Sequence, residues 1–389
     1  MPQLSSLLNN SRENLNMPNL SELSVESYEE RSTNLNMPNL SELSALSLEE
    51  GSTNLPAFSQ LIQNVDVKTL STKNSTPSRS CTSPLPNLSL NTLLPHFTYT
   101  QLEHATDNFD ETPLTQSGRF LGSGAFGKVY LAVGLFTRPV AVKKLLLDNV
   151  DEVHVDDTIT RQFRNEVEVL SKYKHENLLS LLGYSCDGCT YCLLYEYIPG
   201  GALKDRLEKR ELIWTERLYI AIGTAKAISY LHTAFSTPLI HRDVKSANIL
   251  LDFANKPKLC DFGLIKLSPS QNTSTGTTIF GTSAYMAPEA FRGDISTKLD
   301  TFSFGVVLLE LLTSLAPVDE TREGVDLVTH IEENCDNDIT PLLDTSVGGW
   351  VANEIHFGQE LFKIASQCLE EKKKRPTMEK ICQNLAELM

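Results

Sequence analysis

The stretch His241-Arg242-Asp243-Val244-Lys245-Ser246-Ala247-Asn248, followed closely by Asp261-Phe262-Gly263, constrains this chain more than any other feature. It sets a carboxylate, an amine and two hard oxygen donors within one short span. Asp243 can accept the proton of an attacking hydroxyl and hold that hydroxyl in line with a phosphate. Lys245 can reach the same phosphate and neutralise charge as it develops. Asn248 and Asp261 offer the oxygen ligands that magnesium prefers. The apolar run Ile249-Leu250-Leu251 reads as a strand that fastens the loop to a core. Each residue alone would be an ordinary surface acid, solvated lysine or turn asparagine. Together, in this order, they specify phosphoryl transfer.

Such chemistry calls for a glycine loop and a second lysine upstream, and both are present. Gly122-Ser123-Gly124-Ala125-Phe126-Gly127-Lys128-Val129 joins the apolar runs Phe120-Leu121 and Val129 to Val133. That suits a strand–turn–strand hairpin rather than the strand–helix turn of a dinucleotide fold. Its glycines let the backbone close over phosphates without interference from Cβ. Val140-Ala141-Val142-Lys143 follows as an alternating strand, ending on an amine able to grip the α- and β-phosphates. That amine needs a carboxylate to fix it. A helix is expected over Arg161 to Tyr173, with Phe163, Val167 and Leu170 on one face and Glu166 beside them. Glu168, two residues on, would face away. Glu166 is therefore the expected partner of Lys143, in a pair whose value is positional rather than stabilising.

On these motifs the chain resembles the eukaryotic protein kinases over roughly residues 97 to 389. The resemblance implies an α+β, two-lobed fold: a small β-rich N-lobe over about 96–195, a hinge at 196–200 and a large helical C-lobe over 201–389. It implies an enzyme that binds ATP and magnesium and phosphorylates serine and threonine hydroxyls of proteins; Lys245 is typical of the serine/threonine members. ATP would lie against Gly122, Ser123, Gly124, Ala125, Phe126, Gly127, Val129, Ala141 and Lys143. Tyr195 would stand at the gatekeeper position and Glu196, Tyr197 and Ile198 in the hinge, with Asn248 and Asp261 as the magnesium ligands. By the same resemblance Asp300 would hydrogen-bond the backbone of the catalytic loop, and Glu289 would pair with Arg375 to pin the substrate-binding segment.

Within that family the chain is similar to the branch of interleukin-1-receptor-associated kinases, Pelle and plant receptor-like kinases. The lead-in Phe97-Thr98-Tyr99 through Leu102 to Phe109, the hinge run Leu194 to Gly201, and Val244 to Asn248 carry this. Gly281-Thr282-Ser283-Ala284-Tyr285-Met286-Ala287-Pro288-Glu289 is similar to the type-four interleukin-receptor-associated enzymes, which favours a role in Toll or interleukin-1-receptor innate immune signalling. A plant-type receptor-like cytoplasmic kinase is the rival for pathway, and a pseudokinase scaffold the rival for chemistry. The scaffold would be free to lose Lys143, Asp243, Asn248 and Asp261, and all four are present. Expected partners are protein substrates, a receptor-proximal adaptor or related kinase, and transiently a second copy for trans-autophosphorylation.

Regulation is expected between Asp261 and Glu289, a segment rich in serine and threonine. A phosphate there adds about −1.5 to −2 charges and several acceptor oxygens, and Arg242 is a natural bidentate partner for it. Thr277 is the first candidate, with Thr273 and Thr278 behind it.

The formal net charge of −15 argues against sequence-independent binding to nucleic acid or to anionic membranes. No cationic, then apolar, leader opens the sequence and no long apolar run follows, so neither secretion nor a membrane span is expected. Eight scattered cysteines suit free thiols in a reducing cytoplasm. Cys186, Cys189 and Cys192 have zinc-like spacings, yet no fourth Cys or His lies nearby. Their stretch reads instead as a hairpin turning at Asp187-Gly188. Cys260 should line the nucleotide pocket, more readily as a buried inert thiol than a reactive one.

Residues 1–95 differ in kind: rich in Ser, Asn, Leu and Pro, poor in aromatics, and expected to be a disordered tail. Asn14 to Ser24 recurs identically as Asn34 to Ser44, a repeat of 20 residues, and a decayed third copy begins at Ser52. Nothing in this tail has the helical apolar periodicity of the six-helix death domain that the animal relatives usually carry.

Overall fold

In the computed structural model, Thr98 starts the small lobe. Its hydroxyl accepts the Gln101 N–H, and the Gln101 side chain accepts the Thr98 N–H at 2.8 Å, a capping box that launches helix α1 (Tyr99–Ala105). The structure describes residues 92–124, 127–145, 155–187, 190–267, 283–335, 338–346, 350 and 354–389. The repeats, Ala125, Phe126, Cys189 and the phosphoacceptor candidates Thr273, Thr277 and Thr278 lie outside the described residues. Leu102 and Ala105 of α1, with Phe109 just beyond it, join Tyr130, Val142 and Leu194 in one apolar cluster on the sheet. The Lys144 ammonium stands 4.2 Å from the Phe109 ring centre and donates to the Tyr99 hydroxyl at 2.8 Å, which clamps the lead-in helix in place.

The sheet has five antiparallel strands in the order β1-β2-β3-β5-β4. Strands β1 (Phe120–Gly124) and β2 (Gly127–Ala132) form the expected hairpin, and β3 (Val140–Leu145) pairs with β2. Gly127 is required by a close approach, because a Cβ there would meet the Lys144 carbonyl oxygen at 2.3 Å. Helix α2 (Val155–Lys172) begins six residues before the expected Arg161, and Val155 and Ile159 continue its i, i+4 apolar stripe back from Phe163. Its buried face carries Phe163, Val167 and Leu170. Strands β4 (Leu181–Ser185) and β5 (Cys192–Glu196) complete the sheet. Asp187, beyond β4, accepts the Tyr99 N–H at 2.9 Å, and Cys192 packs into the apolar cluster below α1.

The large lobe is helical: α3 (Leu203–Glu208), α4 (Trp214–Thr233), α5 (Lys298–Thr313), α6 (Leu327–Asn334), α7 (Ile355–Leu369) and α8 (Met378–Ala386). Two short pairings support the loops between them: β6 (Leu239–Ile240) with β9 (Lys266–Leu267), and β7 (Ile249–Leu251) with β8 (Pro257–Leu259). Every residue of α5 from Leu299 to Thr313 is buried, the pattern of a helix enclosed on all sides. Among the described residues no helix is long and apolar enough to cross a membrane. The expected α+β architecture of two lobes is the one observed. At its base, Arg375 donates to Glu289 at 2.6 Å and to the Lys298 carbonyl at 2.7 Å, which ties the segment before α5 to the chain before α8.

Candidate active site

Strand β3 ends its alternation with Lys143 directed into the space between the lobes. Its ammonium lies 2.9 Å from Asp261 Oδ1 and 3.3 Å from Glu166 Oε1. Burial alone would lower the Lys143 pKa, but the two carboxylates outweigh it and hold the amine above its ordinary range. Asp261 behaves reciprocally: burial would raise it, and Lys143 draws it below the usual carboxylate range. Glu166 is fully buried on α2, while Glu168 faces outward, so the helical argument picks the residue that reaches the lysine. The other Glu166 oxygen, Oε2, accepts a short bond from the Tyr195 hydroxyl on β5. One carboxylate thus binds helix α2 to two neighbouring strands.

Opposite this cluster, the loop from His241 to Asn248 is held by its backbone. The N–H groups of His241 and Arg242 donate to the two oxygens of Asp300, both at 2.9 Å, and His232 approaches the same carboxylate at 2.8 Å. Arg242 takes φ 71° and Asp261 φ 63°, left-handed conformations that a residue with a Cβ adopts at a cost. Both sit where the loop turns toward the cleft. Lys245 Nζ donates to Asp243 Oδ2 at 2.7 Å, and Asn248 Nδ2 donates to the carbonyl and to Oδ2 of Asp243, each at 2.9 Å. Arg242 donates to the Leu264 carbonyl at 3.4 Å.

Between the two constellations lies a cavity of about 500 Å³, within the usual range for small-molecule sites. Gly122, Ser123, Gly124, Gly127 and Val129 roof it, and Ala141 and Lys143 form its back. Tyr195, Glu196, Tyr197 and Ile198 line one side; Asn248, Cys260 and Asp261 line its floor. Ala125 and Phe126 fall outside the described residues. The Glu196 carboxylate accepts from Lys258 Nζ and from the Ser180 N–H, both at 2.9 Å, so it is committed to the scaffold. Burial pushes the Cys260 thiol well above its ordinary pKa, the property of an inert thiol rather than a nucleophile. The donor set suits a hard cation. Asn248 spends its amide nitrogen on Asp243 and keeps its oxygen for a ligand, and Asp261 adds a carboxylate beside it.

Three contacts were beyond sequence reasoning. The partner of the Tyr195 hydroxyl is one. The second is Gln162, one helical turn before Glu166 and 5 % exposed, whose Nε2 has no hydrogen-bond partner among the described residues and lies where a Cβ at Gly263 would meet it at 2.3 Å. Its i, i+4 relation to Glu166 was the available signal. The third is a buried polar cluster of Ser246, Tyr285 and Glu310, from three separate stretches of chain.

The sequence matches the protein kinase domain over residues 115–385. Among curated proteins it is similar to Wall-associated receptor kinase-like 14 of Arabidopsis thaliana, 37% identical over 331 residues, which cover 81% of this chain and 44% of the relative. It is similar to Proline-rich receptor-like protein kinase PERK1 from the same plant, 40% identical over 62% of this chain and 36% of that protein. It also resembles Receptor-like serine/threonine-protein kinase ALE2, 37% identical over 74% of this chain and 38% of the relative. The chain therefore spans less than half the length of these relatives. A lysine held between two acids, a loop of paired acid, lysine and asparagine facing it, and this match across most of the chain agree: the chain belongs to the protein kinase domain family.

Proposed function

We propose that this chain is a serine/threonine protein kinase that transfers the γ-phosphate of ATP to hydroxyls of protein substrates, its own activation segment included. The observation that carries the reading is the joint placement of Lys143, Glu166 and Asp261 on one side of the cleft and Asp243, Lys245 and Asn248 on the other. Lys143 grips the α- and β-phosphates, and Glu166 keeps it in place. Asp243 accepts the proton of the acceptor hydroxyl and orients its oxygen; Lys245, 2.7 Å away, balances charge on the phosphoryl group during transfer. Asn248 and Asp261 would hold magnesium, which would supply the positive charge that offsets the phosphates. The glycine hairpin and the residues from Tyr195 to Ile198 enclose the nucleotide. Phosphorylation at Thr277, or at Thr273 or Thr278, gives Arg242 an anionic partner and aligns the segment that receives substrate.

For pathway, the sequence run Gly281 to Glu289 favours a cytoplasmic, receptor-proximal enzyme of the type-four interleukin-receptor-associated kind, acting in innate immune signalling beside an adaptor or a related kinase. A plant-type receptor-like cytoplasmic kinase is the second reading, favoured by the Arabidopsis relatives. The chemistry is tested by ATP-dependent phosphate incorporation with magnesium, beside an Asp243→Asn control, with sites mapped by mass spectrometry. Incorporation on serine and threonine, reduced about 10²- to 10⁴-fold in the control, is expected. Nucleotide binding without any incorporation would put the scaffold reading in its place.

A further inference from the structure

Helix α5 is apolar over its buried length except at a few positions, and Glu310 is the one acid in its second half. It is 2 % exposed and, among the described residues, makes no ion pair. Two hydroxyls surround it instead. The Ser246 hydroxyl, in the turn between Lys245 and Asn248, lies 2.7 Å from Oε1, and the Tyr285 hydroxyl, in the turn before Glu289, lies 2.9 Å from Oε2. The two hydroxyl oxygens lie 3.1 Å from each other. Ser303, two turns nearer the start of α5, donates to the Tyr285 carbonyl at 2.7 Å, so the Tyr285 backbone is tied to the same helix.

Counting protons decides the state of this cluster. Three oxygen–oxygen contacts form a closed triangle, and a closed triangle of hydrogen bonds needs three protons. Ser246 and Tyr285 supply one each. With a carboxylate at 310 both point at the acid, and the contact between the hydroxyls holds no proton. With a neutral carboxylic acid the ring closes: Glu310 donates to Tyr285, Tyr285 to Ser246, and Ser246 to Glu310. We propose that Glu310 is a positioning residue which, as a neutral acid, closes a ring of hydrogen bonds with Ser246 and Tyr285 and so fastens the catalytic loop to the segment that receives the protein substrate. The proposal rests on the phosphotransfer reading for what the two segments do, but the ring itself is a matter of geometry.

The electrostatic setting agrees. Burial lifts the Glu310 carboxyl to a pKa of about 8, against the pull of its two hydroxyl partners and of the positive charge of Lys204 on α3. Burial also raises the Tyr285 phenol far above its usual value, with Glu310 adding to the effect, so this hydroxyl keeps its proton. The ring is thus closed at neutral pH and opens on the alkaline side. Opening it would loosen the substrate segment against Asp243, with no direct consequence for the nucleotide cavity, which none of the three side chains lines.

The test compares the full chain with Glu310→Gln, Glu310→Ala and Tyr285→Phe. A glutamine amide both donates and accepts, as the neutral acid does; an alanine does neither. With a peptide acceptor at pH 7, Glu310→Gln is expected to keep kcat/KM for the peptide within about threefold, while Glu310→Ala and Tyr285→Phe lose about tenfold or more. KM for ATP should stay within about twofold in all three. From pH 7 to pH 9 the wild type should lose peptide turnover on a limb that Glu310→Gln lacks. Thermal unfolding gives a readout independent of activity. The folded-state pKa lies above the unfolded one, so this group's contribution to stability falls as pH rises through that window. The Tm of Glu310→Gln should therefore gain on wild type by about 3 °C or more between pH 5 and pH 8. Equal loss in Glu310→Gln and Glu310→Ala, or a Tm difference that does not change with pH, would overturn the proposal. Should Glu310→Ala fail to fold, the pH profile and Tm of Glu310→Gln still decide. A wild type that never phosphorylates, yet shows the Tm pattern, would sink the kinase reading and leave the ring standing.

Discussion

Two enclosed carboxylates, Glu166 in the small lobe and Asp300 in the large one, are held in opposite ways. Among the described residues Glu166 is gripped by side chains alone: the ammonium of Lys143 and the hydroxyl of Tyr195, each from a different strand. Asp300 is gripped by backbone, accepting the N–H groups of His241 and Arg242, with His232 added from α4. Their helices differ too. Helix α5 is buried on all sides, whereas α2 buries one face and exposes Arg161, Arg164 and Glu168. Side-chain bonds can be made and broken as a helix swings; a carboxylate bonded to two successive amides moves only if the loop does. The large lobe therefore holds the loop of Asp243 fixed, and the small lobe carries a contact whose formation reports where α2 sits.

The largest effect should come from breaking the fixed half. Asp300→Ala leaves two buried N–H groups and His232 without their acceptor, a change of about 3 kcal/mol or more. That corresponds to a fall in Tm of roughly 6–12 °C and to loss of most transferase activity, because the catalytic loop loses its anchor. The pH dependence has a definite sign. Burial would raise the Asp300 carboxyl, but His232 and the loop amides hold it below its ordinary value. Its stabilisation is present above the unfolded pKa of about 3.9 and disappears as pH falls through the lower folded value. The Tm gap between wild type and Asp300→Ala should narrow below about pH 4, measured by calorimetry. A gap that persists in acid would mean that packing, not the charge, supplies the anchor.

Glu166→Gln tests the other half. The amide is isosteric, can still accept from Tyr195, and leaves Lys143 with Asp261 at 2.9 Å. Folding should be nearly indifferent, with Tm within about 2 °C, while kcat/KM for ATP falls about a hundredfold, or about 2.7 kcal/mol of transition-state stabilisation. Asp300→Ala loses both stability and activity; Glu166→Gln should lose activity alone. If Glu166→Gln unfolds the protein as readily, the small-lobe contact is structural and the contrast collapses.

How much of this was legible in the sequence follows from the same contrast. Asp243, Lys245 and Asn248 lie within one turn of chain, so their spacing alone carried them to one place. Glu166 was reached through helical periodicity, because Phe163, Val167 and Leu170 fix which face of α2 is inside. The first turns of α2 carry only Val155 and Ile159 as apolar residues, too short a stripe to fix where the helix starts. Nor was the Glu310 ring: its members come from a loop, a turn and a helix, and nothing local in Leu309-Glu310-Leu311 distinguishes a ringed acid from a solvated one. Polar contacts between distant stretches depend on three-dimensional placement that periodicity does not encode.

A smaller effect is expected at the seam between α2 and the turn after Asp261. Gly263→Ala would place a methyl 2.3 Å from the unpartnered Nε2 of Gln162. A loss of about tenfold in kcat/KM for ATP should follow, since Asp261 is displaced along with its turn. The double variant with Gln162→Ala makes room and should recover most of it, a coupling of about 1 kcal/mol in a double-mutant cycle. Additive losses would show that the methyl acts on the backbone rather than through the glutamine.

Tyr195→Phe should do least, and it decides which neighbour positions α2. The phenol donates to Glu166 Oε2, while Lys143 holds Oε1. Removing the hydroxyl leaves a buried carboxylate oxygen with one partner fewer, which costs about 1–2 kcal/mol against folding. Because the lysine contact survives, kcat/KM for ATP should change by less than about threefold. Burial, reinforced by the Glu166 carboxylate, raises the phenol well above its ordinary pKa, so it stays a donor and the difference from wild type should not vary from pH 6 to pH 9. Steady-state kinetics and thermal unfolding across that range check both statements. A loss in Tyr195→Phe as deep as that in Glu166→Gln would reassign the work: α2 would be held by β5 through the tyrosine, and Lys143 would be a passenger on an already placed carboxylate. A small loss means the lysine itself reads the helix position, which makes that position, in the small lobe alone, the adjustable part of the site.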